Sequence, residues 1–178
     1  EKAAAVIANQ KQVQSRLDRM LADYDKANRT AGQALLLADQ AAAADPALVN
    51  GLVEEVIRWV TPLNNMFRRA VTDDHIGDQP VAADDRVMLA YPSANRDEGV
   101  FDDPFRFDIR RDPNPHLGFG GHGAHYCVGA NLARMEINLI FNAIADHMPD
   151  ITKLAEPRRL RHGWINGVKE LSVKYGTA

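Results

Sequence analysis

His116-Leu-Gly-Phe-Gly-Gly-His-Gly-Ala-His-Tyr-Cys-Val-Gly-Ala-Asn-Leu-Ala-Arg134 is the stretch of this 178-residue chain whose reading decides the rest. It holds Cys127, the only cysteine, and five glycines between positions 118 and 129: Gly118, Gly120, Gly121, Gly123 and Gly129. A helix-like run follows at once. A lone thiol cannot staple a chain internally, so it serves packing or chemistry. Glycines let the backbone reach positive φ and approach a flat ligand where a Cβ would clash.

A thiolate in such a loop, just ahead of a helix N-terminus, sits among backbone N–H groups and a positive dipole end, and both favour the anion. Haem iron takes a cysteinate held in this way. The other reading is a small buried cysteine packed in a glycine turn.

Phe119, Gly120, Gly123, His125, Cys127 and Gly129, followed by Ala130-Asn-Leu-Ala-Arg134-Met-Glu136, resemble the haem-binding loop of the cytochrome P-450 monooxygenases. Phe119 and Cys127 stand eight residues apart, one more than in the commonest form of that signature, a variant similar to the bacterial subgroup that oxidises steroids and methyl-branched lipids. The resemblance implies that Cys127 is the axial ligand of haem b and that the loop residues pack on the cofactor. It extends to Arg68-Arg69-Ala70, where Arg68 is implied to pair with a haem propionate, as is His125. A guanidinium fork matches a carboxylate, yet each residue alone reads equally well as a surface arginine and a loop histidine.

Glu55-Val-Ile-Arg58 and Asp103-Pro-Phe-Arg106-Phe107 complete the pattern. By resemblance Glu55, Arg58 and Arg106 form a buried structural triad behind the haem loop. With Ser93-Ala-Asn-Arg-Asp97, the likeness runs from Pro46 to Tyr175 in four ordered blocks.

The fold implied is mainly α with a small β region (α+β), the C-terminal part of the cytochrome P-450 fold preceded by a helical pair. Residues 1–45 form that pair, outside the resemblance, and 46–178 the haem-binding portion of a single domain. Ala3, Val6, Gln10, Val13, Leu17, Met20 and Tyr24 recur every three to four residues, predicting a helix over about 3–27. An alanine-rich helix follows at about 31–44, ended by Asp45-Pro46. Further helices are expected from Pro46 to Trp59 and over about 128–147. An antiparallel β region is expected near about 66–92, with a turn at Gly77-Asp78-Gln79-Pro80 and a strand from Val87 to Tyr91. Trp164-Ile-Asn-Gly167 and Leu171-Ser-Val-Lys-Tyr175 read as a hairpin-like pair of strands.

Charged residues at 25% and a net charge of −3 give no reason to invoke nucleic acid. Nothing reaches 18 consecutive apolar residues and no charged-then-apolar leader is seen, so the expectation is a cytoplasmic domain without a membrane span. Arg110-Arg111 and Arg158-Arg159-Leu-Arg161 read as solvated faces, and His75, His116, His122, His147 and His162 take no assigned role.

The family's oxygen-activating helix, with its Gly-x-Asp/Glu-Thr stretch, is not found. Thr30 lacks the preceding acid and lies only 25 residues before Glu55. The chain therefore reads as truncated or engineered, and no catalytic residue is assigned. The function expected is that of a haem-thiolate oxidoreductase, monooxygenase-type, acting on a steroid or lipid-like substrate and driven by peroxide in place of the missing helix. A ferredoxin-type electron donor is the implied partner. Leu63 to Met66 is the segment expected nearest a substrate; by resemblance Ile165 or Val168 can reach the pocket too, with core packing as the preferred reading. A haem carrier, sensor or inactive relic, and a helical interaction domain that binds no haem, are open alternatives.

Overall fold

The computed structural model describes residues 45–176; the helices expected upstream lie outside the described residues. After a 3-10 turn at Pro46–Leu48, helix α1 (Val49–Val60) carries the core. Val49, Leu52, Val53 and Ile57 fall at helical spacing on one face and are buried. Phe107, Ile109 and Phe119 close over that face, with Ile137 and Phe141 from the later helix. The second half of α1 also buries Glu55, Arg58 and Trp59, so it is enclosed on nearly every side.

Gly51 explains one of the closest approaches. A Cβ there would stand 2.1 Å from the carbonyl oxygen of Ile109, so only glycine lets that strap cross the helix. Thr61 ends α1 in a left-handed conformation (φ 46°), its N–H donating to the Ile57 carbonyl at 3.0 Å. A β-branched residue is strained there. The hydroxyl donates to the Arg58 carbonyl (2.7 Å) and accepts from Asn95 Nδ2 (3.0 Å), which offsets the strain.

The β region forms where expected, except that Gln79 and Pro80, expected in the turn, belong to a strand. Strand β1 (Asn65–Arg69) pairs antiparallel with β4 (Arg86–Ala90), Arg68 opposite Val87. Between them β2 (Asp74–Ile76) and β3 (Gln79–Val81) form a hairpin, with Gly77 at φ +58° supplying the left-handed turn position. Tyr91, expected to end β4, instead opens a single helical turn, α2 (Tyr91–Ala94), with Pro92 in its first turn where a missing N–H costs nothing. Helix α3 (Ala130–His147) follows the glycine loop and packs on α1. Its other side leaves Leu132, Met135 and Leu139 half exposed.

The C-terminal strands do not pair with one another as expected. β7 (Val168–Glu170) pairs with β6 (Arg158–Arg159), and β8 (Val173–Lys174) with β5 (Thr152–Lys153). Leu63 and Ile165 form an isolated antiparallel bridge. That bridge, together with Asn64 N–H to the Trp164 carbonyl (2.7 Å) and Asn166 N–H to the Pro62 carbonyl (2.9 Å), draws residues 164–166 toward the end of α1. No described helix is long and apolar enough to cross a membrane.

Candidate functional site

Glu55 and Arg58 form the best-sealed charge pair among the described residues, both side chains fully buried. Arg58 Nε donates to Glu55 Oε2 (2.8 Å) and Nη2 to Oε1 (2.7 Å). The remaining lone pairs of Glu55 are filled by the Asp108 N–H (2.9 Å) and Asn114 Nδ2 (3.0 Å). Arg58 spends its other donors on the carbonyls of Asn95, Pro104 and Arg106 (2.8, 3.0 and 3.2 Å). Every polar valence of the pair is thus met, the condition under which a buried ion pair is tolerated.

The third arginine is not the one expected. Arg106 leaves 66% of its side chain exposed and reaches only Asp108, at 3.6 Å. Arg111 takes the place instead: it is 10% exposed, with Nε 3.3 Å from Glu55 Oε2. Its Nη1 donates to the Asp102 carbonyl (2.7 Å), and its Nη2 reaches the carbonyls of Asp103 (3.3 Å) and Arg106 (3.2 Å). The Nε contact is electrostatic and lacks hydrogen-bond geometry. The reason for the exchange is the chain path: Arg58 and Arg111 both cap the Arg106 carbonyl, which turns that backbone inward and the Arg106 side chain out.

From this support the glycine loop projects. Asn95, fully buried, accepts the Leu117 N–H on Oδ1 (2.7 Å). A Cβ on Gly118 would meet Ile57 Cγ2 at 2.4 Å, so the loop starts flush against α1. The Cys127 N–H then returns to the Phe119 carbonyl (3.0 Å), closing the loop, and the Ala130 N–H caps the Cys127 carbonyl (3.2 Å) as α3 begins. Residues 121–128 are all exposed, and the thiol of Cys127 is free.

Arg68 and His125 come together. Both line an open cleft of about 690 Å³, between the β1–β4 ladder, α2 and the loop. Gly120, Gly121 and Ala124 contribute its loop wall, Met88 and Tyr91 the opposite one. The lining stops at His125, two residues before Cys127. Gly120 and Gly123 have φ of +87° and +119°, and a Cβ on Gly121 or Gly123 would meet nothing within 4 Å. A free thiol, a flat glycine-rich approach and a cationic side chain beside a cleft form the donor set that haem, with its iron and two carboxylates, requires. The residues fit the group.

Four residues to which the sequence reading gave no role complete the support. His116 Nε2 contacts Glu54 Oε2 (2.9 Å), and Arg134 grips both oxygens of Glu54 (Nε–Oε1 2.6 Å, Nη2–Oε2 3.0 Å). Asn95 is the fourth. Burial raises the carboxyl pKa of Glu54, but the hydrogen bonds from His116 and Arg134, together with the Arg134 charge, outweigh it and hold the group at about 2. Arg134 is correspondingly shifted upward by its bond to Glu54.

Leu63, from the segment expected nearest a substrate, and Ile165 lie side by side through their bridge, whereas Val168 is half exposed. Among the described residues no cluster of His, Cys, Asp and Glu could hold a metal by itself.

Comparison with known proteins agrees with this geometry. The steroid C26-monooxygenase of Rhodococcus jostii is 58% identical over 125 residues, covering 70% of this chain and 26% of the relative. The methyl-branched lipid omega-hydroxylase of Mycobacterium tuberculosis is 50% identical over 123 residues, 69% of this chain and 29% of the relative. CYP108D1 from Novosphingobium aromaticivorans superposes with a TM-score of 0.76 at 38% identity, over 83% of this chain and 37% of that structure. The chain thus spans little more than a quarter of the length of the curated relatives it matches. The Cytochrome P450 family profile matches residues 8–147, reaching well upstream of Pro46 and into the stretch left outside the resemblance. With that match covering most of its length, and with a free cysteine on a glycine loop inside it, the chain belongs to the cytochrome P450 family, whose cofactor is haem.

Proposed function

We propose that this chain is the haem-binding portion of a haem-thiolate monooxygenase that hydroxylates a steroid or methyl-branched lipid, with Cys127 as the iron ligand. The observation that carries the reading is the free, exposed Cys127 on a loop whose glycines border the cleft shared by Arg68 and His125. Haem ligated by a cysteinate supplies O–O bond cleavage, because the thiolate pushes electron density toward the iron.

The protein's own part is to hold and orient. The loop delivers Cys127 directly to the start of α3, where the Ala130 N–H donates to the Cys127 carbonyl and fixes that backbone turn. Arg68 and His125 hold the propionates from the cleft side, and Phe119, Gly120, Gly123 and Gly129 form the flat bed. Glu55, Arg58 and Arg111 keep that bed fixed. Leu63 and Ile165, bridged together, form an apolar contact for the substrate, and the names of the relatives support its class. A ferredoxin-type electron donor and a cytoplasmic setting belong to the same reading.

The test is turnover by the hemin-loaded chain of a steroid with a branched side chain and of a methyl-branched fatty acid. Hydrogen peroxide is the oxidant, so that R–H and H2O2 give R–OH and water. A product heavier by one oxygen atom, absent with Cys127→Ala, is expected. Haem bound tightly with no product from either substrate contradicts the hydroxylase and leaves a haem carrier.

A further inference from the structure

We infer that Glu54 is a positioning residue for Cys127, the fixed post through which Arg134 clamps both ends of the hydrogen-bonded loop that leads to the cysteine; this rests on Cys127 being the working residue of that loop. Glu54 lies on α1, the most deeply buried helix described, beside Glu55 but serving a different network. Its carboxylate grips Arg134 with two short bonds, Nε–Oε1 2.6 Å and Nη2–Oε2 3.0 Å. Such a fork fixes both the place and the plane of the guanidinium.

That plane has two further contacts, and both are loop residues. Arg134 Cζ lies 4.6 Å from the centre of the Phe119 ring. Its Nη1 donates to the hydroxyl of Tyr126 at 3.2 Å. Phe119 accepts the Cys127 N–H on its carbonyl, and Tyr126 is the residue directly before Cys127. One guanidinium therefore touches both ends of the hydrogen-bonded loop that presents the thiol.

His116 secures the same post from the other side. Its Nδ1 accepts the Gly118 N–H (3.1 Å), so the ring proton is on Nε2 and is donated to Glu54 Oε2 (2.9 Å). Glu54 thus ties the entry of the loop, through His116 and Gly118, to its exit, through Arg134 and Tyr126. Without the carboxylate, Arg134 keeps a charge but loses its fork, and the cation–π and hydroxyl contacts have nothing to hold them in register.

The experiment is amide hydrogen exchange on the haem-free chain, comparing Glu54→Gln and Arg134→Lys with the parent. The reporters are Gly120, Tyr126 and Cys127, with the β1–β4 ladder as the internal control. Each variant is expected to speed loop exchange about tenfold and leave the ladder unchanged, with the double variant no faster than either single one. Unchanged loop exchange, or equal acceleration of the ladder, overturns the inference, because the pair then serves global stability alone. The reduced carbon-monoxide spectrum of the same proteins with hemin separates the two readings. A parent that lacks the thiolate band removes Cys127 as ligand while the exchange result still decides the clamp.

Discussion

Arg58 and Glu55 meet in a two-bond pair sealed from solvent, and that guanidinium also closes the carbonyls of Asn95, Pro104 and Arg106. One side chain on α1 therefore collects three separate turns of the following chain. Replacing Arg58 by Ala leaves a buried carboxylate and three open carbonyls, and should cost about 3–5 kcal/mol in urea unfolding. Arg58→Lys should recover little of this, since an ammonium cannot reproduce the fork.

Arg111 and Arg106 should behave differently. Arg111→Ala removes a nearly buried guanidinium from Glu55 and from the Asp102 carbonyl, and should cost about 1–3 kcal/mol. Arg106→Ala alters an exposed side chain and should stay within about 0.5 kcal/mol of the parent. Equal losses in the two unfolding curves would contradict the assignment of Arg111.

Acid should expose Glu54. Its carboxyl is lowered from 4.5 to about 2 in the folded chain, where burial is outweighed by His116 and Arg134. A depressed folded pKa contributes stability that is complete above the ordinary value and lost as pH falls through the folded one. The stability gap between the parent and Glu54→Gln should be full at neutral pH and close between about pH 4.5 and about pH 2. Unfolding free energies of both proteins across that window check it; a gap that does not vary with pH would contradict it.

Gly51 sets propensity against space. In an open helix Gly→Ala gains about 1 kcal/mol. Here the new methyl would lie 2.1 Å from the Ile109 carbonyl oxygen, a backbone atom that cannot swing aside. Gly51→Ala should therefore destabilise, by about 1–3 kcal/mol, as read from the thermal midpoint.

What was legible in the sequence followed from local density of signal. The stretch from Phe119 to Gly129 packs several position-specific residues into one turn, and α1 and α3 show in their apolar spacing. Gly77 marked the β2–β3 turn because a two-residue hairpin needs a left-handed first position. Arg111 was misread as part of a solvated cluster because its burial depends on which way the chain turns after Pro104, and composition does not record that. Glu54, His116 and Arg134 were out of reach for another reason: their contacts span 62 and 80 residues. The C-terminal strands failed in their pairing, since β5, β6 and β8 are two residues each and too short to carry a periodic pattern.

The most direct test of the account is the visible spectrum of the hemin-loaded, dithionite-reduced chain under carbon monoxide, beside Cys127→Ala and Cys127→His. The account predicts a strongly red-shifted Soret band in the parent alone, with Cys127→His binding haem but showing an imidazole-type spectrum. The same spectrum in all three proteins, or no haem bound by the folded parent, would contradict Cys127 as the iron ligand and the haem-thiolate reading with it.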